Sequence, residues 1–146
     1  MNTKNQISIR KVELNEIEKL EFIARSTFEE TFAKDNTKSD MLAYISEKFN
    51  REQLSMELND PHCYFFFAEL YQKVVGYLKL NLSTSQTDYA SDDAVEIERI
   101  YVVGEFHGRG IGKRLFDHAM NFAVEHNKKY IWLGVWEQNT QAIGFY

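Results

Sequence analysis

The order of patterns along this chain predicts an α/β fold, an α+β three-layer arrangement with a mixed central sheet flanked by helices. Three observations carry that expectation. Runs rich in β-branched and aromatic residues are interleaved with segments whose apolar residues recur at helical spacing. Two of the apolar runs, "HCYFFFAEL" and "KVVGYLKLNL", meet at "YQK", close enough for an antiparallel hairpin. A glycine-rich stretch then joins a further apolar run to a helical segment. The 146 residues suit one domain spanning 1–146, and neither an internal repeat nor a linker divides them.

The elements follow in order. "ISIRKV" alternates apolar and polar side chains as a strand does. Over residues 15–33 Ile17, Leu20, Ile23, Ala24, Phe28 and Phe32 mark one face of an amphipathic helix. A second helix is predicted from Ser39 through Met41, Tyr44 and Ile45. "NREQLSMEL" offers Asn50 as an N-cap with Gln53 three residues on, a capping-box spacing that opens a third helix, and the only proline, Pro61, ends it. After the hairpin, the polar run over 83–93 has no apolar period and reads as a mobile loop. "AVEIERIYVV" is a strand apolar enough to lie inside the sheet. Ile111, Leu115, Ala119, Phe122 and Ala123 give the next helix its apolar face, which ends near His126 and Asn127. "YIWLGV" is a strand, and "NTQAIGFY" begins a helix with Asn139 in the N-cap position.

Charge and composition narrow the function classes. A net charge of −5 disfavours a nucleic-acid partner, which normally shows as a basic patch. The N-terminal "MNTKNQISIRKVEL" is too polar for a signal-peptide core and no apolar run has the length of a membrane span, so a cytoplasmic protein with no membrane partner is expected. The single cysteine, Cys63, has no companion for a disulfide or a zinc site and reads as a small residue entering a strand. His107, His118 and His126 lack acidic companions at ligand spacing and read as structural or surface residues, so no metal is expected. Trp132 and Trp136 read as core residues on or just after the fifth strand.

The stretch "YVVGEFHGRGIGKRLF" holds the chemistry. It places four of the seven glycines within nine residues and passes directly into a helix. A strand, a bare turn and a helix start make an anion site, because free N–H groups and the positive end of the helix dipole converge there. A dinucleotide loop counted from Gly108 and Gly110 needs a third glycine where Lys113 stands. A nucleotide P-loop ending at Gly112 and Lys113 needs a glycine where His107 stands and a hydroxyl where Arg114 stands. Both fail.

"HGRGIG", residues 107–112, instead resembles the Gln/Arg-x-x-Gly-x-Gly/Ala loop of the GCN5-related N-acetyltransferases, with Gly110 and Gly112 matching and His107 in place of the usual Gln or Arg. "IERIYV" is similar to that family's fourth strand and "NTQAIGFY" to its Asn-x-x-Ala-x-x-Phe-Tyr segment. The resemblance implies an acyl-CoA N-acyltransferase fold and acetyl-CoA as co-substrate. Main-chain groups of Ile100, Tyr101 and Val102 would bond the pantetheine arm. The backbone of Gly108, Arg109, Gly110, Ile111, Gly112 and Lys113 would wrap the pyrophosphate, with Lys113 and Arg114 adding positive charge. Asn139 matches a coenzyme-contacting asparagine and Tyr146 the tyrosine proposed to protonate the departing thiolate. Glu98 lies where some polyamine-acetylating relatives carry a carboxylate proposed as base, and Glu96 shares its strand face. "TFEETFAKDN" resembles the first-helix segment of a bacterial polyamine-acetylase-like branch, where Glu29, Glu30 and Asp35 would attract a cationic amine.

The expected activity is transfer of an acetyl group from acetyl-CoA to a primary amine of a small molecule, polyamine-like, or of a peptide. The alternative class is a non-catalytic acyl-CoA-binding or regulatory module. A third is an oligomerising α/β domain without a ligand. Family members usually continue beyond the position of Tyr146 with the rest of a helix and a final strand pair. Those C-terminal strands are expected to be missing here, and a homodimer would cover the exposed sheet edge.

Overall fold

The computed structural model describes residues 6–88 and 91–133. The helix expected over "NTQAIGFY", with Asn139 and Tyr146, lies outside those residues, as does Trp136. The described elements run β1 (Ile7–Lys11), α1 (Ile17–Phe32), α2 (Lys38–Lys48), α3 (Arg51–Asn59), β2 (Cys63–Leu70), β3 (Lys73–Leu82), β4 (Ala94–Val102), α4 (Ile111–Glu125) and β5 (Tyr130–Leu133). The five strands form one sheet in the order β1-β2-β3-β4-β5. Neighbours from β1 to β4 are antiparallel and β4 pairs with β5 in parallel, so the sheet is mixed. A parallel pair needs a crossover, and α4 supplies it.

The helix boundaries follow local chemistry. Thr37 accepts from Asp40 N to open α2, and Asn50 accepts from Gln53 N at 2.7 Å to open α3. Only half of the capping box forms, because the Gln53 amide turns to Glu57 instead of back to Asn50. α4 stops where Asn127 takes a left-handed φ of 57°. The hairpin between β2 and β3 turns on Tyr71 and Gln72, both at positive φ, the geometry that matches the twist of paired strands.

Each face of the sheet has its own core. Leu20, Ile23, Ala24, Phe28 and Phe32 of α1, with Ile45 and Leu54, pack on Phe65, Phe67 and Tyr77. Ile111, Leu115, Ala119, Phe122 and Ala123 of α4 pack on Leu78, Leu80, Val95 and Ile97. That is the three-layer order the sequence predicts, and all five apolar α4 positions are buried. His118 sits edge-on to Phe66, and His126 stacks on Phe122 while donating Nδ1–H to its carbonyl. Both histidines are structural. No helix among the described residues is long and apolar enough to cross a membrane.

Gly76 lets β3 approach β4 closely. A Cβ there would lie 2.7 Å from the Tyr101 carbonyl oxygen, a backbone atom that cannot move without parting the two strands. Gly76→Ala is expected to cost about 1–3 kcal/mol, the range for overpacking. Urea unfolding would show a lower midpoint at unchanged slope.

Candidate functional site

The site is built on the second half of β4 and the loop that follows it. Among the described residues the parallel ladder pairs Ala94 with Tyr130 through Ile97 with Leu133, and Glu98 to Val102 form the second half of β4. On its other side β4 stays paired to β3, with a register shift where Lys79 faces Arg99 and Leu80 faces Ile97. That shift makes Glu98 the extra residue of a β-bulge, a local distortion that re-aims a side chain. The expected pantetheine strand, Ile100, Tyr101 and Val102, follows directly.

From Val102 the chain enters the glycine loop. A 3₁₀ turn over Gly104–Phe106 leads to His107, whose Nε2 lies 2.7 Å from the Val102 carbonyl. The carbonyl can only accept, so the ring is held with its proton on Nε2. His107, the residue that departs from the family pattern, thus ties the loop back to the end of β4. Gly108 and Gly110 take φ of 81° and 80°, a region that suits glycine. Gly110 is the N-cap of α4, and with no side chain it leaves the first turn uncapped. The first helical bond runs from Arg114 N to Gly110 O, so the N–H groups of Ile111, Gly112 and Lys113 precede it. No acid stands in that turn. The geometry therefore presents donors and a positive dipole end to an anion.

The cations near the loop have separate tasks. The Lys73 ammonium and the Arg109 guanidinium lie 5.4 Å and 5.2 Å from the Phe106 ring. Lys113 pairs with Asp117 at 3.0 Å, and Arg114 donates to the Ile7 carbonyl across the sheet. Lys73 was not marked in the sequence, because a lysine opening a strand after a hairpin carries no local signal. On the helix side of the loop, Glu30 accepts from Gly104 N at 2.9 Å, which ties the end of α1 to the start of the loop. Glu29 and Asp35 are exposed near the same end.

Beneath the bulge lies a buried polar cluster. The Lys79 ammonium, its side chain only 5% exposed, donates to Glu98 at 2.7 Å and pairs with Glu57 of α3 at 3.2 Å. Arg99 pairs with Glu98 at 3.1 Å and lies 4.6 Å from the Phe49 ring. Asn81 donates through one Nδ2 to both Glu96 and Glu98, each at 2.8 Å, and its Oδ1 accepts from the Cys63 thiol. Burial alone would raise the Glu98 carboxyl. The positive charges of Arg99 and Lys79, with hydrogen bonds from Lys79 and Asn81, outweigh it and hold the group down to about 2. Burial also pushes the Cys63 thiol up to about 11, which keeps it protonated and inert.

Glu96, 1% exposed, accepts from the main chain and the hydroxyl of Thr87 as well as from Asn81. Gln86 spans the same loop to Ser83 O and Ser91 O, and its Oε1 takes the Trp132 indole N–H at 2.7 Å. The polar run after β3, expected to be mobile, is thus tied down at Gln86 and Thr87. Sequence reading missed this because its anchors are side chains of β4 and β5, not an apolar period of its own. It also missed Glu57, Lys79 and Asn81. Their signal was present: Lys79 and Asn81 alternate with Leu78, Leu80 and Leu82, and Glu57 follows buried Leu54 by one helical turn.

Residues 18–146 match the Acetyltransferase (GNAT) family. A protein of Lactobacillus delbrueckii subsp. lactis described as an uncharacterized N-acetyltransferase in the pepI 3′ region is 39% identical over 140 residues, covering 94% of this chain and 81% of that one. The spermidine N(1)-acetyltransferase of Thermoplasma acidophilum is 24% identical over 144 residues, 96% of this chain and 84% of its own. Among solved structures, the PaiA N-acetyltransferase of Thermoplasma acidophilum in complex with coenzyme A superposes with a TM-score of 0.83 at 24% identity, covering 96% and 86% of the two chains. An aminoglycoside acetyltransferase from an uncultured soil metagenomic sample, in complex with sisomicin, superposes at 0.72 and 24% identity, covering 97% and 86%.

Proposed function

This chain belongs to the GNAT family of acetyltransferases, and we propose that it moves the acetyl group of acetyl-CoA directly onto the primary amine of a small, polyamine-like cation. The observation that carries the coenzyme half is the uncapped start of α4 behind two left-handed glycines, in the loop that follows the end of β4. The residues fit the group: N–H donors from Gly108 to Lys113 suit a pyrophosphate, and Ile100 to Val102 suit an extended amide-bearing arm. The amine half rests on acidic side chains around the site, on the net charge of −5 and on the spermidine acetyltransferase among the relatives.

In the proposed reaction the amine lone pair attacks the thioester carbonyl carbon, the C–N bond forms and the C–S bond breaks. The amine gives up a proton to water, and the departing sulfur takes one, for which Tyr146 is the proposed donor by its place in the family segment. Glu98 is proposed to act by charge. With the Glu98 carboxyl held well below its ordinary value and an alkylammonium far above it, direct proton transfer from the amine to Glu98 is strongly uphill. A fixed carboxylate is better suited to draw in the ammonium and to stabilise positive charge on the attacking nitrogen. The alternative of a water relay ending on Glu98 would put its ionisation on the acid limb of the rate profile.

A release assay for the free thiol of coenzyme A, run over polyamines, amino acids, aminoglycosides and peptide N-termini, tests the reading. Thiol release that depends on added amine, with the highest kcat/KM for a polyamine, is the expected outcome. Glu98→Gln should lower kcat/KM for that acceptor by roughly tenfold to a hundredfold with little change in the KM for acetyl-CoA, in line with loss of one preorganised charge. Thiol release that ignores every amine on the panel would overturn the proposal.

A further inference from the structure

Resting on that acetyltransferase reading, we propose that Thr87, Glu96 and Asn81 form a positioning relay through which the loop after β3 sets the Glu98 carboxylate. Thr87 sits on the exposed loop, yet both its main-chain N–H and its hydroxyl point to Glu96. Glu96 passes the constraint to Asn81, because its Oε1 accepts from the same Nδ2 that donates to Glu98. Both carboxylates share one amide nitrogen, so shifting one shifts the other.

Charge makes the arrangement directional. The groups facing Glu98 are Lys79 from β3, Arg99 from β4 and Glu57 from α3, with Glu96 on its own strand. Among the described residues the two cations pair with Glu98 and Glu57, while Glu96 is met by neutral donors from Asn81 and Thr87. A buried carboxylate that loses such a donor carries a desolvation cost and must move toward another. The nearest shared donor is Asn81 Nδ2, which then releases Glu98. The Cys63 thiol on Asn81 Oδ1 fixes which way the amide faces, since only Nδ2 can serve two carboxylates. Gln86 and its bond to the Trp132 indole hold the loop at its other side, so the loop bridges β5 and the bulge.

Thr87→Val keeps the shape and removes the hydroxyl, while Thr87→Ser keeps the hydroxyl. The first readout needs no turnover: the ¹³C resonance of the Glu98 side-chain carboxyl, assigned by its loss in Glu98→Gln. The resonance should move in Thr87→Val and return in Thr87→Ser. An unmoved resonance in a folded Thr87→Val protein overturns the relay whatever the enzyme acetylates. The second readout is kinetic and asks whether the relay serves catalysis. With the best acceptor of the panel, Thr87→Val should lower kcat roughly tenfold with unchanged KM for acetyl-CoA, the size expected from a small misplacement. In the Glu98→Gln background the same change should add nothing. Equal effects in both backgrounds would show that Thr87 acts through stability alone and would sink the catalytic role. If no amine is acetylated by the unaltered chain, the acceptor reading fails while the carboxyl resonance still decides the relay.

Discussion

Gly110→Val is expected to weaken acetyl-CoA binding at least tenfold while the protein stays folded. Gly110 holds φ of 80° and ψ of 10° as the N-cap of α4. A β-branched residue in the left-handed region costs about 1–2 kcal/mol, and the backbone escapes that cost by rotating out of it. Rotation at the cap re-aims the N–H groups of Ile111 and Gly112, and hydrogen bonds to a charged group are worth about 1.5–3 kcal/mol each. Losing one of them is a tenfold change or more in Kd. Gly108→Ala separates strain from aim: Gly108 has nearly the same φ, 81°, but a Cβ there meets nothing within 4 Å and the residue caps no helix. It should lose stability of about 1 kcal/mol and much less affinity. Calorimetric titration with acetyl-CoA, paired with thermal unfolding, reads both quantities. Equal affinities for the unaltered chain and a folded Gly110→Val protein would remove the α4 start from the coenzyme site.

The glycine loop was legible in the sequence because its information is local. Glycines in a row between a strand and a helix constrain the backbone whatever surrounds them. The helices were legible for the same reason: Leu20, Ile23, Ala24, Phe28 and Phe32 recur at helical spacing and are buried against one sheet face. His107 shows the limit. Its identity marks a departure, but its contact with the Val102 carbonyl depends on the path of the loop, and no spacing rule carries that path.

The polar cluster was hidden by register. In "KVVGYLKLNL" the alternation of Leu78, Leu80 and Leu82 with Tyr77, Lys79 and Asn81 suggests one wet face, as in an antiparallel sheet open on one side. Here α1, α2 and α3 cover that face, so Lys79 and Asn81 are buried and must find partners. Those partners come from a strand fifteen or more residues away in the chain, through a bulge that puts Glu98 out of step. A one-residue shift in register exchanges the faces of a strand, so the pairing of Glu96 and Glu98 could be read from the sequence but not what pairs with them. Glu96 and Glu98 do share a face, as the spacing predicts, and Asn81 is what joins them.

Lys79→Met is expected to destabilise the chain by about 3–5 kcal/mol, the cost of removing one partner from a buried ion pair. The lysine side chain is 5% exposed and touches both Glu98 and Glu57, so its loss leaves two buried carboxylates sharing Arg99. A domain with about 5–15 kcal/mol in total would lose a large share of its stability. The pH dependence identifies the cause. Glu98 is held at about 2 in the folded chain against an ordinary value of 4.5, and its side chain is 20% exposed. A lowered folded value contributes stability that is complete above the unfolded value and is lost as pH falls from 4.5 toward 2, by about 3 kcal/mol. Glu16 is also held at about 2 by its hydrogen bonds from Arg10, but that pair lies near the surface and adds about 1 kcal/mol at most. Urea unfolding at pH 7, 5 and 3 should therefore show a steep acid loss in the unaltered chain and a shallower one in Lys79→Met, where Glu98 has lost a cation and titrates higher. Adding Glu98→Gln to Lys79→Met should restore part of the pH 7 stability, because it neutralises one of the stranded carboxylates. A Lys79→Met protein within 1 kcal/mol of the unaltered chain, with the same acid slope, would mean that the cluster is not one electrostatic unit. The restored double variant would still be expected to acetylate poorly, since stability would return while the charge proposed to meet the amine would not.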